Sequence, residues 1–200
     1  MLKTFVVVGE ISNLSDARYC AGMGVDVLGF NVNPVEESCV EPDTLNEIAG
    51  WVAGVEYLGD ISGLVTHQAN EILKDYNFTY VLSDDLATLQ EIGEYRKVLK
   101  VDIESESQLQ NFEALISGDF GLEYIIVDTL NENYVAILDG MDKSGSNVKL
   151  IKAYQLEKDN VESTGDLGYN GIYLKGTAEI RPGYKDYDEL ADILEVLEID

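Results

Sequence analysis

Short apolar, β-branched runs alternate along this chain with longer stretches whose apolar residues recur at helical spacing. A run such as Phe5-Val6-Val7-Val8 shows no polar alternation, which suits a strand buried on both faces. Eight such runs are present, at residues 4–8, 26–32, 55–60, 80–83, 98–103, 124–128, 148–153 and 171–174. Helical patterns lie at 15–21, 42–53, 66–76, 84–95, 105–116, 131–141, 158–163 and 186–197. Ser15 and Thr66 stand where N-caps belong, and Pro42 suits a first helical turn. Asp84 and Asp85 place acids at a helix start, and Ser105 with Gln108 forms a capping-box pattern. Strand and helix in strict alternation predict βα units around a parallel sheet. Eight units in 200 residues predict an α/β fold, a small single-domain (β/α)8 TIM barrel over 1–200 with short loops. An open doubly wound sheet is the alternative. It lacks a dinucleotide fingerprint, because Gly22-Met23-Gly24 falls in a helix-to-strand turn, the wrong side of the unit for a phosphate.

Composition narrows the class. Hydrophobic residues make up 46% of the chain, enough for one sizeable core. No apolar run is long enough to span a bilayer, and the start shows no charged-then-apolar leader pattern. Cys20 and Cys39 form neither a metal-type pair nor a disulfide framework, so a reducing cytoplasm is expected. Thirty-eight acidic residues against 13 basic ones give a net charge of −25. That field disfavours nucleic acid and anionic membranes as partners. Its plain reading is a solvated acidic surface; an acidic face meeting a basic partner is the other.

Chemistry in a barrel gathers where strands end and βα loops begin. Those positions hold Gly9 and Glu10, Asn31 or Asn33, Asp60 and Ser62, Ser83 and Asp84, and Asp102 and Glu104. They continue with Asp128 and Thr129, then Lys152, Ala153 and Tyr154, then Lys175, Gly176 and Thr177. Lys152 and Lys175 end the last two strands, where barrels often hold phosphate, and either would supply a point charge. Pairing with nearby acids such as Glu157 or Glu179 is the competing reading. Asp60, Asp84, Asp102, Glu104 and Asp128 would form a carboxylate ring suited to Mg²⁺ or Ca²⁺. Acids at helix N-termini explain them equally, and no metal-loop spacing is present, so no metal or other cofactor is expected. His67 at a helix start reads as a surface residue, and Trp51 and the 12 tyrosines as core and rim.

Three stretches resemble one family. They are Ile11-Ser12-Asn13-Leu14-Ser15-Asp16-Ala17, Gly24-Val25-Asp26-Val27-Leu28-Gly29-Phe30, and Pro34 with Glu41-Pro42. The chain resembles phosphoribosylanthranilate isomerase, which opens K-I-C-G-[IL]-T, N-x-x-D-A, G-A-D-x-[LIV]-G-F and P-x-S-x-R-x-[VIS]-x-P. Ile125-Ile126-Val127-Asp128-Thr129 matches that family's L-L-D-[TS], and Glu179 to Asp186 keeps its E-x-x-P-G-x-K-D. The resemblance implies a (β/α)8 barrel, a small phosphorylated sugar as ligand, and a place in tryptophan biosynthesis. It implies an Amadori rearrangement in which an acid helps open the ribose ring and a base removes the C2 proton. Asp128 inherits the role of the acid.

The departures fall on the chemistry. Gly9 stands where the family has its base cysteine; with the register moved by one, Val8 takes that place, and neither can move a proton. Ser38 replaces a substrate-facing arginine. Tyr154-Gln155 replaces a glycine pair, and Gly176-Thr177 a Ser-Gly, whose backbone amides hold phosphate in the family. The last turn, D-[VL]-x-S-G in the family, reads Tyr173-Leu174-Lys175-Gly176-Thr177 here. A base lost outright costs ~10² to 10⁴ in rate. Glu10 is a substitute only if the strand end is irregular, since strand neighbours point to opposite faces. The expectation is a divergent homologue without efficient isomerase activity, with Lys152, Lys175, Gly176 and Thr177 as the remaining phosphate candidates. The alternatives are a working isomerase using Asp128 and Glu10, a different sugar-phosphate enzyme, and an acidic interaction module.

Overall fold

Each of the eight apolar runs forms a strand, and the strands pair side by side in chain order. The computed structural model describes residues 1–176, 179–181, 184–185 and 187–199, with the backbone alone at 179–181 and 184–185. The strands are β1 (Phe5–Gly9), β2 (Val27–Asn31), β3 (Glu56–Asp60) and β4 (Tyr80–Ser83), then β5 (Arg96–Asp102), β6 (Tyr124–Asp128), β7 (Lys149–Lys152) and β8 (Gly171–Lys175). All neighbours are parallel, and β8 pairs back onto β1 to close the barrel. The closing seam is fully zipped, from Phe5 opposite Gly171 to Gly9 opposite Lys175.

The helices are α1 (Leu14–Gly22), α2 (Pro42–Trp51), α3 (Thr66–Ile72), α4 (Leu86–Glu91), α5 (Glu106–Ser117), α6 (Glu132–Gly140) and α7 (Asp188–Val196). A short antiparallel pair, β9 (Glu179–Arg181) and β10 (Tyr184–Lys185), lies between β8 and α7. Among the described residues no helix is long and apolar enough to cross a membrane.

Local chemistry moves several expected boundaries. Asn13, not Ser15, caps α1: its side-chain oxygen accepts the Asp16 N–H at 3.0 Å. Val65 occupies the N-cap of α3 in place of Thr66 and offers no side-chain bond. Asp85 caps α4 by accepting from Ala87 and Thr88, so that helix starts at Leu86. Ser105 caps α5 as its pattern predicts. The helix expected at 158–163 is instead a 3₁₀ turn, Val161–Gly165. That stretch is rich in Asp, Asn, Ser and Thr, which compete for the backbone bonds an α-helix needs. Trp51 is not core: it lies 71% exposed at the end of α2.

Side-chain parity along the strands divides the core in two. Val7, Val27, Leu58, Tyr80, Leu82, Val98, Tyr124, Ile126, Ile151 and Tyr173 point into the barrel. Val6, Val8, Leu28, Phe30, Val81, Leu99, Ile125, Val127, Leu150 and Ile172 point outward, packed beneath the helices. By the same alternation Gly9, Asn31, Asp60, Lys100, Asp102, Asp128 and Lys175 share the inward parity at the carboxyl ends, whereas Lys152 has the outward one.

Candidate functional site

The floor of the barrel mouth is set where β1 meets β8. Gly9 is buried, and a Cβ built on it would fall within the hydroxyl end of the Tyr173 ring. Tyr173 is 6% exposed, and its hydroxyl has no hydrogen-bond partner among the described residues. Burial pushes its phenol well above the ordinary value, and the negative charges of Asp60, Glu10 and Asp128 push it further. Tyr173 is therefore a neutral donor at neutral pH.

The next residue breaks the strand. Glu10 has φ +59°, the left-handed region that non-glycine residues seldom enter. The turn lets Gly9 and Glu10 line the same cavity, which a regular strand would forbid. That cavity holds about 280 Å³ and is walled by Gly9, Glu10, Asn31, Glu36, Asp60 and Tyr173, with Ser38 beside Asn31. Glu10 Oε1 lies 3.7 Å from Lys175 Nζ, and both side chains are about half exposed.

Two more carboxylates stand at the mouth. Burial raises Asp60 above the usual carboxylate range, opposed by its bonds to Ser62 and by the Lys100 charge. Burial likewise raises Asp128, with Lys100 drawing it down and Asp102 pushing it up. Asp128 sits directly opposite Asp102 across the β5–β6 ladder. Lys100, whose Nζ is 3.7 Å from Asp102, is thus the cation shared by the acids of β3, β5 and β6.

The carboxylate ring does not assemble as a cation site. Among the described residues no group of three or more His, Cys, Asp or Glu side chains is placed to hold a metal ion. The acids serve loop backbones instead. Asp60 accepts from the Ser62 N–H, Asp84 from Gly63, Glu104 from Leu130 and Asp128 from Thr129.

The expected phosphate set comes apart. Lys152 is a correction: its outward parity buries it to 4% exposure, away from the mouth. Its Nζ bonds Asp139 of α6 at 3.0 Å and lies 4.5 Å from the Tyr154 ring centre. Among the described residues Asp139, and not Glu157, is its partner. Tyr154 also turns outward and donates to Asp139, with Tyr169 2.6 Å from its hydroxyl. Gly176 is a second correction, because its N–H is spent on the Gly9 carbonyl at 2.7 Å and is not free for an anion. Thr177 lies outside the described residues. Of the described members of the set, Lys175 remains at the mouth.

A larger groove of about 500 Å³ lies outside the barrel, between β5, α5 and the start of α4. Leu86, Leu99, Leu115 and Phe120 form its apolar wall, and Asp84, Lys100 and Asp102 border it on the side of the mouth. His67 is exposed, Cys20 buried and Cys39 half-buried.

No protein-family model matches this chain, and no curated protein matches it. Solved structures do. A phosphoribosylanthranilate isomerase from Thermotoga maritima superposes with a TM-score of 0.76 at 18% identity, covering 97% of this chain and 98% of that one. The enzyme from Thermus thermophilus gives 0.74 at 16%, over 96% and 98%. A phosphoribosylanthranilate isomerase in complex with reduced 1-(o-carboxyphenylamino)-1-deoxyribulose 5-phosphate gives 0.73 at 18%, over 97% and 98%.

The chain has the fold of the phosphoribosylanthranilate isomerases. It is the motif resemblance that sets Gly9 against the cysteine of that family's pattern and Tyr173 against its aspartate. Two residues that matter here were not singled out by sequence reasoning. Lys100 and Tyr173 each carried a signal: a polar group at inward parity in a strand otherwise apolar on that face.

Two outcomes follow for stability. Gly9→Ala costs about 1–3 kcal/mol by overpacking against the Tyr173 ring, and less in a Tyr173→Ala background, both read by denaturant unfolding. Equal costs in the two backgrounds would contradict the contact. The second concerns pH. Asp60 is raised in the fold, so protonation favours the native state, and the stability this group contributes is lost as pH rises through its folded value. Asp60→Asn is therefore more stable than the parent at neutral pH, by a margin that shrinks as pH falls through the carboxylate range. A margin independent of pH would contradict this.

Proposed function

We propose that this protein is a divergent barrel of the phosphoribosylanthranilate isomerase type that has no efficient Amadori isomerase activity. One observation carries the reading: the place of the family's base holds Gly9, and the Tyr173 ring lies over it. The rearrangement needs an acid and a base on opposite sides of the sugar, each within hydrogen-bonding reach. Asp128 keeps the acid's position, and its raised carboxyl suits proton donation. The base has no counterpart at position 9, and a phenol held neutral by burial and by nearby acids is a poor one.

The anion grip supports the same conclusion. The phosphate of a sugar ester orients the reacting carbon through binding energy remote from it. Here Lys152 is paired with Asp139, the Gly176 amide is bonded to Gly9, and Lys175 faces Glu10. Among the described residues, a small phosphorylated sugar would meet one exposed lysine amid carboxylates. The net charge of −25 and the absence of a disulfide framework in the sequence suit a soluble protein of the cytoplasm.

A second reading has its own observation. The left-handed turn at Glu10 brings a carboxylate into the cavity beside Gly9, so Glu10 would act as a replacement base opposite Asp128 in a working isomerase of tryptophan biosynthesis. The fluorescence assay with freshly generated phosphoribosylanthranilate at high protein concentration separates the two. The expected result is no turnover above the uncatalysed rate from folded protein. Turnover that vanishes in both Asp128→Asn and Glu10→Gln would overturn it and establish the second reading.

A further inference from the structure

The cavity between the ends of β1, β2, β3 and β8 carries an imbalance that its own residues do not resolve. Tyr173 is more than nine-tenths buried, its hydroxyl points into this space, and that hydroxyl has no acceptor among the described residues. A donor with no protein acceptor, at the wall of a cavity, is left to bond whatever occupies that cavity. A ligand oxygen in the cavity would accept that bond. Ser38 adds a second donor at the rim. Its Oγ takes the Asn31 Nδ2–H at 3.2 Å, which leaves its own proton free to give.

The acceptors in the same wall are charged. Glu36 and Asp60 line the cavity, and among the described residues neither is in an ion pair; Asp60 is held by Ser62 and by the more distant field of Lys100. Glu10 is partly offset by Lys175 at 3.7 Å. Among the described residues, no lysine or arginine lines the cavity. A concave site lined by one sign of charge concentrates ligands of the other sign, and the net charge of −25 reinforces this. An anion is disfavoured on the same ground. The volume of about 280 Å³ sits at the small end of ligand pockets and admits a molecule of monosaccharide size or less.

We propose that this cavity binds a small protonated amine bearing hydroxyl groups, an amino sugar or amino alcohol without phosphate. Its ammonium lies between Asp60 and Glu36, and one of its oxygens accepts the Tyr173 hydroxyl. The left-handed backbone at Glu10 leaves that residue lining the cavity, and the Tyr173 ring, which fills the space over Gly9, forms its floor. The inference rests on the reading that Tyr173 has taken the place of the lost base. It is tested by binding alone, so absent isomerisation and absent binding are separate results.

The experiment is calorimetric titration of the full chain with glucosamine, glucose and glucose 6-phosphate, and with ethanolamine as the smallest amine. Glucosamine binds about tenfold more tightly than glucose, the effect of one charge-assisted contact. Glucose 6-phosphate binds more weakly than glucose. Tyr173→Phe, which keeps the ring and removes only the hydroxyl, weakens glucosamine about fivefold. Glu36→Gln weakens glucosamine but not glucose. Glucosamine no tighter than glucose, a phosphate ester that binds as well as the amine, an unchanged Tyr173→Phe, or no binding by either amine at millimolar concentration would each overturn the proposal.

Discussion

The seam between β1 and β8 closes the barrel, and the mouth takes its form from that closure. Five residue pairs lie in register along it, and beyond them the Gly176 N–H reaches back to the Gly9 carbonyl. The approach is close enough that a Cβ on Gly171 would meet the Phe5 carbonyl, and one on Gly176 the Glu10 carbonyl. With the backbones that near, inward side chains compete for one volume. Tyr173 fills it and Gly9 yields it. The Gly176 amide spent on the seam and the ring over Gly9 are two faces of one packing solution. It removes an anion donor and a base position together.

Parity then sorts the charged groups. Lysines that end neighbouring strands look alike in sequence, yet Lys175 faces inward at the mouth and Lys152 outward into the α6 layer. Burial of Lys152 without a counter-ion would cost several kcal/mol. Asp139, with Tyr154 and Tyr169 beside it, makes the position tenable. Lys143 packs over the Tyr169 ring, 4.6 Å from its centre, and donates to the Leu138 and Met141 carbonyls at the end of α6. A polar network of this kind holds a helix against the barrel, and its charges are unavailable to a ligand.

The barrel was legible because most of its strands are short, largely apolar runs of the length a doubly covered parallel sheet requires. All eight lie where the apolar pattern puts them, within a residue or two at their ends. Helix starts were less legible. Asn13 and Ser15 are both good caps, and only the local geometry selects Asn13. The segment after β7 lost its helix to residues that satisfy the backbone in a 3₁₀ turn. The site was legible as a list of strand-end residues but not as an arrangement. Which way Lys152 turns depends on strand parity, and which groups meet Asp60 and Asp128 depends on Lys100, a lysine inside a strand rather than at its end. The irregularity that brings Glu10 beside Gly9 is a single backbone angle, for which the sequence carries no marker.

The claim on which the account turns is that the Tyr173 ring occupies the space over Gly9. Nuclear Overhauser contacts measure it directly in solution. Strong contacts between the Gly9 α-protons and the Tyr173 ring protons are the predicted result. Their absence, with the Tyr173 ring giving contacts only to solvent-facing loop residues, would leave that space open and contradict the account.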